Sequence, residues 1–154
     1  MEHEGNRGAS DEEVARIAAE IKTMTGGSFT DKDGNSRPLG LDDFMVVTPY
    51  NLQVHRLRAG LPQGVRIGTV DKFQGQEAPV VFFSMATSSG EDVPRDVGFL
   101  FSRNRLNVAI SRAECLALLV CSPRLLETRC HSIDDMVLVN ALCRLVEYAD
   151  RSKT

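Results

Sequence analysis

Two short segments of this 154-residue chain concentrate side chains with chemical reach. The first is GTVDKFQGQE, residues 68–77, where hydroxyl, carboxylate, amide and glycine groups crowd together as a strand-like run ends. Gly75 lets backbone approach a ligand closely, and its N–H can point at a phosphate oxygen. Glu77 is a fixed acceptor suited to a ribose hydroxyl. A turn followed by a strand, with Gly75 needed only for the turn, accounts for these residues equally well. The second segment is RNRLNVAISR, residues 103–112. On a helix, Leu106, Ala109 and Ile110 share an apolar face, and Arg105 and Arg112 lie about two turns apart. Asn107, Ser111 and Arg112 then gather toward the helix end. A guanidinium there can hold a phosphate bidentately and stays charged at any working pH. The ordinary alternative is a surface arginine paired with a neighbouring carboxylate.

The elements that must position these groups follow from apolar periodicity and turn residues. DEEV at 11–14 opens a helix with Val14, Ile17, Ala18 and Ile21 on one face, ended by Gly26 and Gly27. Ser10 is its expected N-cap and Glu13 the matching capping-box residue. Residues 28–42 are polar and turn-rich, an exposed loop. FMVVTP (44–49), VRIGTV (65–70), PVVFFSM (79–85) and CLALLVC (115–121) read as buried strands. Helices are expected over roughly 50–60, 101–113, 123–129 and 134–149, the last with Met136, Val137, Val139, Leu142, Leu145 and Val146 as core packing. Apolar strands separated by helices predict an α/β fold, a mostly parallel sheet covered on both faces. Ligands are then expected at the carboxyl ends of the strands. A frayed tail over 1–9 precedes one domain spanning 10–150.

Bulk properties restrict the classes. Hydrophobic residues make up 42% and charged residues 25%, an ordinary globular mixture large enough for one core. No apolar run approaches the roughly 20 residues of a membrane span, and MEHEGNRGAS has no apolar core of a secretory signal. Cys115, Cys121, Cys130 and Cys143 show no CxxC spacing, so neither zinc nor disulfides are expected, and a reducing cytoplasm is the default compartment. Cys115 and Cys121 read as small buried hydrophobes. The net charge of −3 argues against a protein that coats nucleic acid by charge alone. Arg95, Arg103, Arg105 and Arg112 nevertheless face only Asp96 within 95–112, a local basic patch suited to phosphates. A solvated helix face gives the same pattern.

TVDKFQGQE (69–77), followed by VVFFS (80–84), resembles motif V of superfamily 1B helicases, TVDxFQGxE. Gly98-Phe99-Leu100 followed by RLNVAISRA (105–113) resembles motif VI, usually RRLNVAxTRA. VTPYNLQ (47–53) is similar to the TPYxxQ segment that precedes motif V. Order and spacing match the branch containing the nonsense-mediated-decay helicase and the replication nuclease-helicases, over roughly residues 10–130. The resemblance implies the second RecA-like domain of an ATP-dependent DNA or RNA motor, of 5′ to 3′ polarity. It places Arg112 as an arginine finger facing the γ-phosphate, and Gln74, Gly75, Glu77 and Arg105 around the nucleotide. Arg105 is equally suited to bracing Asp71. Thr48, Pro49, Tyr50, Gln53 and Thr69 fall where the family touches the single strand. The implied cofactor is ATP with Mg2+, held mainly by an N-terminal RecA-like domain of the same polypeptide. The implied partners are that domain and single-stranded DNA or RNA, with no membrane.

Asn104 stands where the family often has Arg, and Ser111 replaces the usual Thr but keeps the hydroxyl. GxxxxGK[ST], an acidic Walker B box and the motif IV arginine region are absent from these 154 residues. An arginine finger without a phosphate cradle or magnesium site cannot hydrolyse ATP efficiently, so the chain alone is expected to be inactive, a fragment of a longer protein. A non-hydrolysing nucleic-acid-binding module and a scaffold that keeps the helicase fold are the alternatives.

Overall fold

The computed structural model describes residues 9–87, 103–127, 129–130 and 132–152, without the side chains of 103–106, 135, 138 and 152. The expected tail, the 88–98 loop and Gly98-Phe99-Leu100 of the motif VI resemblance therefore lie outside the described residues, apart from Ala9.

Helix α1 (Asp11–Met24) begins where Ser10 Oγ accepts the Glu13 N–H at 3.2 Å, and it buries Val14, Ile17 and Ile21, as their spacing predicts. Strands β3 (Phe44–Thr48), β4 (Arg66–Thr69), β5 (Ala78–Ser84) and β6 (Ala113–Val120) form one parallel sheet in the order β4-β3-β5-β6. Helix α2 (Asn51–Gly60) connects β3 to β4, and α3 (Arg103–Ser111) leads into β6. Between β4 and β5 the link is a single 3-10 turn, Val70–Phe73, anchored by the buried Val70 and Phe73. A further 3-10 turn (Pro123–Glu127) replaces the helix expected over 123–129, and α4 (Ile133–Ser152) follows it.

Strand alternation explains why the central runs are apolar throughout. Phe44, Val46, Val80 and Phe82 join Val14, Ile17, Ile21, Val54 and Leu57 on one face of the sheet. Met45, Val47, Val81 and Phe83 join Phe73, Ala109, Leu125 and Leu142 on the other. Successive strand residues point to opposite faces, so a strand covered on both sides has no polar phase.

The 28–42 segment is more ordered than its composition suggests. β1 (Ser28–Thr30) and β2 (Ser36–Pro38) make an antiparallel hairpin. Its tip is closed by Asp31 Oδ1, which accepts the N–H groups of Asp33 and Asn35 at 2.9 Å each, with Gly34 at φ +84°. At its base the Arg37 guanidinium donates to both Asp43 oxygens at 2.6 and 2.7 Å, and the Gly40 N–H adds a third bond at 2.8 Å. These bonds, with Arg37's first, hold the Asp43 carboxyl below the usual carboxylate value of 3.8. A carboxylate depressed by folding contributes stability above its unfolded value and loses it as pH falls through the folded one. The gap in melting temperature between wild type and Asp43→Asn is therefore expected to be open at neutral pH and to close below about pH 4. An unchanged gap at acid pH would show that the bridge is not the source.

β6 departs from expectation. It pairs only with β5 among the described residues, and its middle, including Cys115 and Leu116, is exposed rather than buried. Cys121, past the strand end, is largely covered, and burial pushes its thiol up to about 11. In α4, Val139 and Leu142 are core residues, whereas Met136 and Val137 are exposed. Among the described residues no helix is long and apolar enough to cross a membrane.

Candidate functional site

The two motifs meet at one edge of the sheet. Ala78 pairs with Ala113 at the starts of β5 and β6, and the Ala78 N–H donates to the Arg112 carbonyl at 2.9 Å. Glu77 and Arg112, each one residue ahead of its strand, are thereby brought side by side. This is the amino edge of the sheet, not the carboxyl ends where ligands were expected. Residues that immediately precede a parallel strand must lie at its amino end, however the preceding strand finished.

Gln74, Gly75 and Glu77 are exposed. Gly75 has φ +78°, and a Cβ built on it would meet nothing within 4 Å, so its backbone stands open in a conformation that other residues rarely adopt. The turn behind it is close-packed. A Cβ on Gly68 would sit 3.2 Å from the Phe73 ring, and Lys72 Nζ donates to the Ile67 carbonyl at 3.1 Å.

Arg112 is half-buried at the end of α3. Its Nε donates to the Val108 carbonyl at 3.3 Å, and none of the ion pairs among the described residues involves it. The surface-pair alternative thus finds no partner there. Ser111 Oγ also donates to the Val108 carbonyl, at 2.9 Å, and so serves the helix end. Arg105 lies within α3, but its side chain is outside the described residues.

The second group lies at the opposite, carboxyl edge. Thr48 and Thr69 are register partners at the ends of β3 and β4. Thr69 is half-buried, but Thr48, Pro49, Tyr50 and Gln53 are buried. These four therefore present little surface to a nucleic-acid backbone as the domain stands. Thr48 Oγ1 accepts the Tyr50 N–H at 3.5 Å, shaping the turn into α2.

Gln53 instead belongs to a wholly internal network. Its Oε1 accepts the Ser10 N–H at 2.8 Å, and its Nε2 donates to Ser84 Oγ at 3.0 Å and the Ser10 carbonyl at 3.3 Å. Ser84 Oγ donates to Glu13 Oε2 at 2.5 Å, which also accepts the Ala86 N–H at 3.0 Å. Ser10, Glu13, Gln53 and Ser84 are all essentially inaccessible to solvent. Half of the expected capping box survives: Ser10 caps α1, but Gln53 rather than Glu13 takes the Ser10 N–H. Glu13 reaches across to the end of β5, where Ala86 holds φ +57°. Sequence reading missed Glu13 and Ser84 as partners because S-x-x-E has a sufficient local explanation and their separation along the chain is large. The only signal was an acidic residue placed next to the apolar face of its own helix.

A model of the AAA domain family matches residues 2–124. The chain belongs to the AAA domain family. The DNA polymerase alpha-associated DNA helicase A of Schizosaccharomyces pombe (strain 972 / ATCC 24843) is 49% identical over 73 residues, 46% of this chain and 11% of that protein. The putative helicase mov-10-B.1 of Danio rerio is 33% identical over 101 residues, covering 56% of this chain and 10% of its own length. Helicase sen1 of S. pombe is 37% identical over 91 residues, 54% and 5% respectively. This AAA domain is a superfamily 1 helicase domain with a RecA-like α/β fold, as the motifs imply. It spans about a tenth or less of the length of these relatives.

Proposed function

We propose that the AAA domain is the second motor half of an ATP-dependent DNA or RNA helicase, with its amino sheet edge turned to the nucleotide and its carboxyl edge to the single strand. The reading is carried by the Ala78–Arg112 backbone bond, which sets the motif V loop beside the end of the motif VI helix. The residues present fit the polyphosphate and ribose of a nucleotide: an open backbone at Gly75, a carboxylate at Glu77, and a guanidinium at Arg112 that has no ion pair among the described residues. ATP with Mg2+ supplies a phosphoanhydride whose cleavage builds negative charge on the transferred phosphoryl oxygens. Arg112 stabilises that charge, Gly75 presents its N–H to a phosphate oxygen, and Glu77 accepts from a ribose hydroxyl. Gln74 couples the nucleotide to the strand track, and Arg105 adds a phosphate contact or braces Asp71. Among the described residues no group of three or more His, Cys, Asp or Glu could hold a metal. The Mg2+ ligands are assigned to an N-terminal RecA-like domain of the same polypeptide.

At the other edge, Thr69 and the exposed first turn of α2 (Asn51, Leu52) offer the nucleic-acid surface. Thr48, Pro49, Tyr50 and Gln53 support it from beneath. The isolated domain is expected to bind single strands weakly, losing several-fold or more in affinity between about 50 and 200 mM salt, and to hydrolyse no ATP. The full-length protein is expected to show nucleic-acid-stimulated turnover. Efficient hydrolysis by these 154 residues alone, or a tight complex that survives high salt, would overturn the motor-half reading in favour of a self-sufficient module.

A further inference from the structure

We infer that the β1–β2 hairpin forms the outer wall of the nucleotide site and that Lys32 and Glu114 help select the ribonucleoside end of the substrate. The inference rests on the motor reading and adds a segment that the helicase motifs do not include. A groove of about 210 Å³ opens between the hairpin and the amino sheet edge, lined among others by Thr30, Asp31, Lys32, Glu77, Ser111 and Glu114. One wall is therefore the hairpin tip, and the other is Glu77 with the residues on either side of Arg112 in sequence.

The two walls are fastened together. Arg66 donates through Nε to the Asp42 carbonyl at 3.1 Å and through Nη2 to the Glu77 carbonyl at 3.0 Å, tying the hairpin base to the motif V loop. The Arg37–Asp43 bridge and the Asp31 turn fix the hairpin itself, and Arg37 lies 5.4 Å from the Phe29 ring centre. A surface held this way is a preformed wall rather than a loose loop.

Its side chains say what it would take. No hydrogen bond or ion pair engages the side chains of Lys32, Glu77 or Glu114 among the described residues. Asp31, Glu77 and Glu114 give three carboxylates against the single ammonium of Lys32 in the groove lining, while the Arg37 guanidinium, which also acts on Asp31 and Glu114, is already bridged to Asp43. A polyphosphate would be repelled from such a groove, so the phosphates belong outside it, toward Gly75 and Arg112. A sugar diol is the complementary partner, since each hydroxyl donates to a carboxylate and carries no charge. Glu114 supplies a second acceptor beside Glu77, and Lys32 offsets the acidic field where the first phosphate joins the sugar.

The test is steady-state hydrolysis of ATP and 2′-deoxy-ATP by the full-length protein. Wild type is expected to show a KM for the deoxynucleotide about threefold or more above that for ATP. Glu114→Gln should raise the KM for ATP and draw that ratio toward one. Lys32→Ala should raise the KM for both nucleotides about three- to tenfold, more than it lowers kcat, and Lys32→Arg should restore it. If Glu77→Gln and Arg112→Ala impair turnover while the Lys32 and Glu114 variants match wild type in KM and in the ratio, the hairpin wall is wrong and the motor reading stands. If the Glu77 and Arg112 variants are also unaffected, both fall.

Discussion

Replacing Arg112 by alanine in the full-length protein is expected to lower nucleic-acid-stimulated ATP turnover by about 10³- to 10⁵-fold while leaving ATP affinity within several-fold. The asymmetry follows from the role. A guanidinium that meets charge developing in the transition state gains most of its interaction energy there, so its loss falls on kcat rather than on ground-state binding. In barrier terms the loss corresponds to about 4–7 kcal/mol. The fold should survive, because Arg112 is half-buried and its one side-chain bond among the described residues is to the Val108 carbonyl of its own helix. The backbone bond from Ala78 to the Arg112 carbonyl does not depend on the side chain. Arg112→Lys keeps the charge but not the planar fork, and should recover only part of the rate. The decisive measurement is single-turnover hydrolysis beside nucleotide binding; near-normal turnover in Arg112→Ala would remove the finger assignment.

The largest stability effect is expected at the other edge of the sheet. Glu13 is inaccessible to solvent and accepts from Ser84 Oγ and the Ala86 N–H. Glu13→Ala strands two buried donors and opens a gap between α1 and the end of β5. At about 1–3 kcal/mol for each unsatisfied buried group, the expected cost is about 3 kcal/mol or more. For a domain of this size that lowers the melting temperature by roughly 6–12 °C. Glu20→Ala makes the control, since it removes only a surface i,i+4 pair between a half-buried Glu20 and the exposed Arg16 and should cost about 0.5 kcal/mol or less. Equal melting shifts for the two substitutions would show that the buried network is not what fastens α1 to the sheet.

Much of the fold was legible because it depends on local periodicity. The Val14, Ile17, Ile21 stripe repeats at the helical period, and the four apolar runs are short stretches bounded by turn residues, so each allows few other structures. The motif V and VI residues were legible for a related reason: a glycine that must take positive φ, and an arginine at a helix end, are constrained by backbone and charge before any packing occurs. Gln53 was misjudged because a polar side chain at the start of a helix looks exposed until Ser10 and Ser84, 43 and 31 residues away, are folded onto it. The 28–42 segment was misjudged because hairpin register depends on a few turn bonds, and composition records none of them.

By itself, then, the sequence determined most of the helices and strands and the parallel α/β class, and it nominated the groups proposed to meet a phosphate, since each is written in neighbouring residues. Only the tertiary structure decided that Glu77 and Arg112 share the amino edge, that Thr48, Tyr50 and Gln53 lie beneath the surface, and that the hairpin stands against Glu77. Those facts depend on strand order and on bonds spanning tens of residues. Such bonds form only when burial brings distant segments together, so no local pattern carries them.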